Sequence, residues 1–312
     1  MNEPIKLLGI VGPTGSGKTA LSIELAKALN GEIISCDSMQ IYKHMNIGTA
    51  KPTDAEKQGV PHYMLDILEP NENFSVNEFV ARAKEHIIDI SSREKLPVLV
   101  GGTGLYVDSL INDVNFAPME SDEEYRASLH KLAKEKGNLH LHNILVDKDK
   151  NAADKIHPNN VRRVVRALEI IHLTGKTKTE QDKIAKPANS PYKSILFGID
   201  MPREELYERI NKRVDIMLGD GLVDEVRDLF GMGIKPEMTA MQAIGYKEIA
   251  DYINGNCALE SAVEKIKQES RRYAKRQITW FWNNCKINRV LLQECNESFT
   301  AISQFAKNAL HN

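Results

Sequence analysis

The sequence predicts an α/β fold: a P-loop-type parallel sheet flanked by helices, with a helical insertion domain. Three observations carry that prediction. Short apolar runs alternate with amphipathic helical patterns towards both ends of the chain, the arrangement that strand-helix-strand units require. A glycine-rich turn joins the first apolar run to the first helical pattern. Between the third and fourth runs, from about Pro118 to Pro191, the texture becomes polar and helical, with almost no β-branched runs.

The first run, Ile5 to Val11, predicts a strand, followed after the glycine turn by a helix over Thr19 to Leu29. A second strand covers Glu32 to Cys36 and ends at Asp37. A third, Pro97 to Val100, ends in Gly101-Gly102-Thr103-Gly104 before another helix. The fourth, Ile195 to Ile199, ends at Asp200 and leads into one long helix from about Arg203 to Phe230. Residues 1–117 and 192–312 are therefore expected to form the P-loop catalytic core, and 118–191 the insertion. The stretch Lys186-Pro187-Ala188-Asn189-Ser190-Pro191 reads as the linker returning to the core.

At 312 residues, the length suggests about two units of ~150 residues. A 42% hydrophobic fraction beside 27% charged residues supports a sizeable core and excludes a disordered chain. No stretch reaches the ~18 uninterrupted apolar residues of a membrane span, so no membrane partner is expected. The opening MNEPIKLLGIVGPTGSGKT has no charged-then-apolar leader, because Gly and Pro break its apolar run; the expected location is the cytoplasm. Cys36, Cys257, Cys285 and Cys295 never form a CxxC pair, which argues against a zinc site or a secreted disulfide framework. A net charge of −2 gives no global attraction to nucleic acid, so any such binding must come from local basic patches.

Gly12-Pro13-Thr14-Gly15-Ser16-Gly17-Lys18-Thr19 matches GxxxxGK[ST] completely and lies between a strand and a helix. The glycines let backbone N–H groups turn around an anion, the helix N-terminus adds positive potential, Lys18 supplies a mobile charge, and Thr19 is the candidate Mg²⁺ ligand. The ligand is expected to be a di- or triphosphate; the motif does not say which.

In open α/β sheets ligands sit outside the carboxyl ends of the strands, which places Asp37 and Thr103 on the same crevice as the phosphate loop. Asp37 is a candidate proton acceptor or Mg²⁺-positioning group, or else simply a helix N-cap. The Gly101 to Gly104 turn is a weaker signal, since such turns are common after strands. The third strand ends in Gly-Gly where an ATP-hydrolysing motor carries an Asp, and Asp66 is the nearest substitute. Two basic patches follow. Arg162 and Arg166 share a helix face, with Arg163 beside them and Glu169 in pairing range. Lys267, Arg271, Arg272, Lys275, Arg276, Lys286 and Arg289 stand against a single acid, Glu269, interleaved with Tyr273, Trp280, Phe281 and Trp282. Those aromatics serve either stacking on bases or the core. Arg213, on the predicted long helix, is within possible reach of the crevice.

Taken together, these blocks resemble the bacterial tRNA dimethylallyltransferase, or isopentenyltransferase, family. The resemblance rests on GPTGSGKT at 12–19, ISCDSMQIYKHMNIGTAKP at 34–52, PHYMLDILEP at 61–70, VGGTGLYV at 100–107, IHPNNVRRVVRALEI at 156–170, the helix around Arg213, AIGYKEI at 243–249 and YAKRQITWFW at 273–282. It implies that the loop Gly12, Pro13, Thr14, Gly15, Ser16, Gly17, Lys18 and Thr19 holds the diphosphate of dimethylallyl diphosphate rather than ATP. It implies transfer of the five-carbon group to N6 of the adenosine at tRNA position 37, next to the anticodon, in tRNAs reading codons that begin with U, giving N6-dimethylallyladenosine, with the adenine flipped into the crevice. Asp37 then matches the general base and Thr103 a contact to the adenine, while Lys18, Thr19 and Arg213, with Mg²⁺, stabilise the leaving pyrophosphate. Contacts to the tRNA anticodon stem-loop fall on Asp37, Ser38, Met39, Gln40, Thr103, Arg126, Arg162, Arg163, Val164, Val165, Arg166, Gln242, Ala243, Ile244, Gly245, Tyr246 and Lys247. Gly15 stands where the family often has Ala, and Tyr63 where it often has a second His. No counterpart of the eukaryotic C-terminal zinc finger is expected around Cys285 and Cys295, and a monomer is expected. Two other readings use the same residues: a nucleotide or small-molecule kinase with the insertion as a lid, or a non-catalytic tRNA-binding protein, which leaves Asp37 and Thr103 unexplained.

Overall fold

The computed structural model describes residues 3–116, 121–185, 187, 189–291 and 295–311. By internal contacts the chain divides into two units, Met1–Ile111 with Ser190–Asn312, and Asn112–Asn189. The expected boundary at 117/118 and the linker residues Lys186 and Ala188 lie outside the described residues.

In the first unit the apolar runs become strands buried on both faces, which is why they read as continuous rather than alternating. The chain runs β1 (Ile5–Val11), α1 (Lys18–Ala28), β2 (Gly31–Ser35), α2 (Asp54–Lys57), β3 (His62–Tyr63), α3 (Val76–Ser92), β4 (Leu96–Gly101) and α4 (Gly104–Ile111). Serine and glutamate three residues apart start α3: the Ser75 hydroxyl accepts from the Glu78 N–H, and the Glu78 carboxylate accepts from the Ser75 N–H. Among the described residues the sheet has six strands in the order β3-β2-β4-β1-β5-β6, and every neighbouring pair is parallel. Here β5 is Tyr192–Asp200 and β6 is Asn288–Leu291. Neither β3 nor β6 was legible as an apolar run, being two and four residues long.

The second unit, described by itself, holds α5 (Glu123–Lys136), α6 (Asn138–Lys148), α7 (Lys150–Ala153), α8 (Val161–Thr174) and α9 (Lys178–Ala185). Leu129, Leu141, Leu145, Val164, Val165 and Leu168 form its core. Beneath them Glu169, 0% exposed, is held by Arg126 and Arg166 at 2.7 and 2.6 Å and accepts the Asp122 N–H at 3.0 Å. Burial pushes its carboxyl up, but the two arginines prevail and hold it below the usual range.

After β5 the first unit continues with α10 (Arg203–Gly219), α11 (Leu222–Gly231), α12 (Tyr246–Ile253), α13 (Leu259–Asn284) and, after β6, α14 (Cys295–His311). The single helix expected from Arg203 to Phe230 is thus two. Gly221 takes φ 99° and the break falls at Asp220-Gly221, a conformation that glycine adopts without strain. One core layer packs Leu8, Ile10, Leu25, Ile33, Val98 and Phe197 about the sheet; another gathers Tyr42, Leu222, Val226, Leu229, Tyr246 and Ile249 around α11 and α12. Among the described residues no helix is long and apolar enough to cross a membrane.

Candidate active site

Register places the site. Val11 pairs with Gly101 and Ser35 with Val100, so three neighbouring strands, β2, β4 and β1, end side by side and release their loops at one edge. Those loops carry Asp37, Thr103 and the phosphate loop. With α10 and α13 they enclose a cavity of about 400 Å³ lined by Thr14, Lys18, Asp37, Arg213, Tyr273 and Gln277 among others.

The phosphate loop turns through Gly12, Gly15 and Gly17 at φ 147°, 81° and 83°, the last capping α1. Lys18 is folded onto its own loop, its Nζ donating to the Pro13 carbonyl at 2.7 Å. Burial, with Arg213 nearby, lowers its pKa to about 7, and Asp37 only partly offsets this. Arg213 reaches the loop from α10, Nη1 to Thr14 Oγ1 at 3.5 Å, and burial lowers its pKa too. Among the described residues neither cation has an ion-pair partner. The Ser16 hydroxyl is buried with no hydrogen-bond partner. A cradle with two unpaired cations and an orphaned hydroxyl is built for an anion.

Asp37 Oδ1 accepts the Met39 N–H at 2.9 Å. Turns and bends follow, not a helix, so that bond closes a turn and the helix-cap reading of Asp37 fails. Thr103 Oγ1 accepts the Ser38 N–H at 3.1 Å, and the Thr103 N–H donates to the Cys36 carbonyl, tying the ends of β2 and β4 together. Gln40 is spent internally: its amide donates to the Thr49 and Ala50 carbonyls and its oxygen accepts from Ser35 Oγ. Asp66 pairs with Lys51 and does not face the phosphate loop.

The glycines of the Gly101 to Gly104 turn are explained by close approach. A Cβ on Gly101 would lie 2.3 Å from the Cys36 carbonyl oxygen, one on Gly102 2.0 Å from Gln277 Nε2, and one on Gly104 2.0 Å from Trp280 Cδ1. The turn therefore makes room for α13. From that helix Gln277 spans two loops: Oε1 accepts the Thr14 N–H at 2.9 Å and Nε2 donates to the Gly102 carbonyl at 3.0 Å. Tyr273 lines the same cavity, and burial, then Asp37, push its pKa up to about 12, with Thr103 and Gln277 acting the other way. The sequence does not single out Gln277, and it offers Tyr273 only as a stacking or core aromatic. The available signal was a polar residue on the stripe Ile266, Ser270, Tyr273, Gln277, spaced four, three and four along a helix.

Other expected RNA contacts are redistributed by burial. Tyr246, 0% exposed, donates its hydroxyl to Glu225 at 2.6 Å and packs on Gly48, so it belongs to the core. Gln242, Ala243, Ile244, Gly245 and Lys247 all line the cavity, Ala243 and Gly245 as buried residues. Val164 and Val165 lie in the core of the second unit because α8 is amphipathic; Arg162 and Arg163 are the exposed members of that run, while Arg126 and Arg166 hold Glu169. Phe281 is fully buried, so the core reading holds for it; Trp280 and Trp282 are half-buried and pack on Gly104 and Gly198. Of the second basic patch, Lys267, Arg271 and Arg272 are engaged by Asp215, Asn211 and Glu269, and Arg276 lies over the Tyr273 ring at the cavity.

The sequence model of the family described as IPP transferase matches residues 40–284. The chain is 51% identical over 282 residues to a protein of Halalkalibacterium halodurans named tRNA dimethylallyltransferase, covering 90% of each, and 53% identical over 283 residues to one of Bacillus cereus with the same name, covering 90% of this chain and 88% of that one. A crystal structure of a full-length tRNA isopentenylpyrophosphate transferase from Bacillus halodurans superposes with TM-score 0.74 at 47% identity, covering 98% and 97%. A eukaryotic dimethylallyltransferase described as acting on tRNA gives TM-score 0.80 at 30% identity, covering 97% of this chain and 80% of that one.

Proposed function

The chain belongs to the IPP transferase family, and from that premise we propose how its crevice carries out the transfer. The enzyme is a prenyltransferase that moves a dimethylallyl group onto tRNA; with relatives named tRNA dimethylallyltransferases, the kinase reading drops out. Lys18, Arg213 and the phosphate-loop N–H groups hold the diphosphate of dimethylallyl diphosphate. Asp37 receives the proton. The N6 lone pair of adenine forms the new C–N bond, the C–O bond to the diphosphate breaks, its electron pair stays on the bridging oxygen, and the N6 proton passes to Asp37. Charge grows on that oxygen as the bond breaks, so preorganised cations there lower the barrier.

The single observation that carries this reading is the pair of half-buried cations without carboxylate ion-pair partners, sharing one cavity with Asp37. An anion is what such a pair lacks. Thr19 lines the cavity beside Lys18, and its hydroxyl would be an oxygen ligand for Mg²⁺ bound with the diphosphate. Such an ion would neutralise charge on the pyrophosphate. Thr103 and Ser38 border the adenine, and exposed Arg162 and Arg163 engage the backbone of the anticodon stem-loop. The target is the adenosine at tRNA position 37 in tRNAs reading codons that begin with U, and the enzyme works as a cytoplasmic monomer.

The test incubates the protein with unmodified tRNA, Mg²⁺ and either labelled dimethylallyl diphosphate or γ-labelled ATP. Prenyl label should appear on tRNA. Label transferred from ATP, or from neither donor, overturns the reading.

A further inference from the structure

The geometry carries one inference furthest. Gln277 is 5% exposed, yet both ends of its amide are used, and by two different catalytic loops. Its oxygen takes the N–H of Thr14, inside the diphosphate cradle. Its nitrogen binds the carbonyl of Gly102, one residue before Thr103.

Resting on the function proposed above, we propose that Gln277 is a positioning residue that fixes the spacing between the diphosphate cradle and the adenine-side loop. Neither end of the bridge requires the amide to touch a substrate. Thr14 and Gly102 follow different strands, β1 and β4, and Gly102 must lack a side chain for the amide to enter. The Gly102 end leads on to Asp37, since the next residue, Thr103, accepts the Ser38 N–H beside Asp37. One amide thus sets the register of three loops. Prenyl transfer needs the reacting carbon and N6 in line at contact distance, and a displacement of about 1 Å costs on the order of 100-fold in rate. An error in loop spacing acts on the chemical step when both substrates are present and not on either binding event alone.

Two variants of nearly unchanged size separate this from a purely structural role. Gln277→Glu keeps an acceptor for Thr14 but sets an anionic oxygen against the Gly102 carbonyl; once protonated it regains the donor. Gln277→Met removes both bonds while filling the space. The experiment measures single-turnover prenyl transfer at saturating tRNA and dimethylallyl diphosphate, each ligand's affinity alone, and the melting midpoint. Expected are affinities within about threefold of wild type, a single-turnover rate reduced on the order of 100-fold in both variants, and recovery of Gln277→Glu alone as the pH falls through its carboxyl pKa. Rates within about threefold of wild type overturn the proposal, as does rate loss that merely tracks lost affinity or lost folding in both variants. Wild-type protein that transfers no prenyl group overturns the function itself, a separate outcome read from the same assay.

Discussion

The two ends of the parallel sheet handle buried charge in opposite ways. At the amino end, Glu32 is 2% exposed and fully answered: Arg93 contacts it at 2.7 and 2.6 Å, Lys95 at 2.6 Å, and the Tyr63 hydroxyl at 2.8 Å. Those partners, Arg93 above all, hold its pKa at about 2 against the cost of burial. At the carboxyl end, Lys18 and Arg213 are half-buried without an ion-pair partner, and desolvation lowers both pKa values. A satisfied charge stabilises the fold, whereas an unsatisfied one is a standing penalty that a ligand relieves. The sheet therefore has a structural end and a reactive end, distinguishable by charge pairing alone.

The strongest way to sharpen that contrast is Asp37→Asn, which removes the carboxylate facing the two cations. Single-turnover transfer should fall by roughly 10²- to 10⁴-fold with both substrates still bound. A rate within about tenfold of wild type would leave Asp37 only its turn-closing bond to Met39.

Lys18→Met comes next, with turnover lowered by roughly 10²- to 10³-fold, the cost of one lost donor to a developing oxyanion. Its melting midpoint should stay level or rise, because a desolvated charge leaves the fold. A fall in midpoint would break the comparison.

At the other end Glu32→Gln should cost about 2 to 3 kcal/mol of unfolding free energy in urea titrations, since Arg93 and Lys95 are partly exposed and rehydrate. Transfer below the melting transition should be unchanged. The pH sign follows from the depressed pKa: the contribution is complete above the unfolded value near 4.5 and is lost as pH falls from there towards about 2. Acid titration of wild type against Glu32→Gln should show the two stabilities converging over that window.

The smallest effect is a proton. An anion beside Lys18 raises its pKa from about 7 towards the ordinary 10.5, so above pH 7 dimethylallyl diphosphate should bind with uptake of up to about one proton and weaken as pH climbs. Calorimetry in buffers of different ionisation enthalpy reads that uptake as a difference between wild type and Lys18→Met. Equal uptake in both would place the proton elsewhere.

The reactive end was largely legible in the sequence because its requirements are local. The phosphate loop needs glycines, a lysine and a hydroxyl at fixed spacing, and strand ends place Asp37 and Thr103 on the same edge without any tertiary knowledge. What escaped was set by distant partners. Tyr246 reads as an accessible tyrosine until Glu225 and Gly48 close around it. Val164 and Val165 sit between arginines in sequence but on the opposite face of α8. The run from Arg203 to Phe230 has helical periodicity throughout, and only the φ of Gly221 divides it. Gln277 carries no motif of its own; its importance lies in Thr14 and Gly102, 263 and 175 positions away.

Those separations bear on how the molecule is made. During synthesis the chain emerges from its amino terminus at roughly 5–20 residues per second, so the phosphate loop and Asp37 leave the ribosome well before α13 exists. Until Gln277 emerges, Thr14 and Gly102 lack their common partner, and the space kept by Gly102 and Gly104 stands empty. A nascent chain thus carries Asp37 and the phosphate loop without the amide that ties Thr14 to Gly102. On the bridge proposed above, an enzyme whose substrate is tRNA is born on the machine that uses tRNA, and it stays incompetent there until α13 docks.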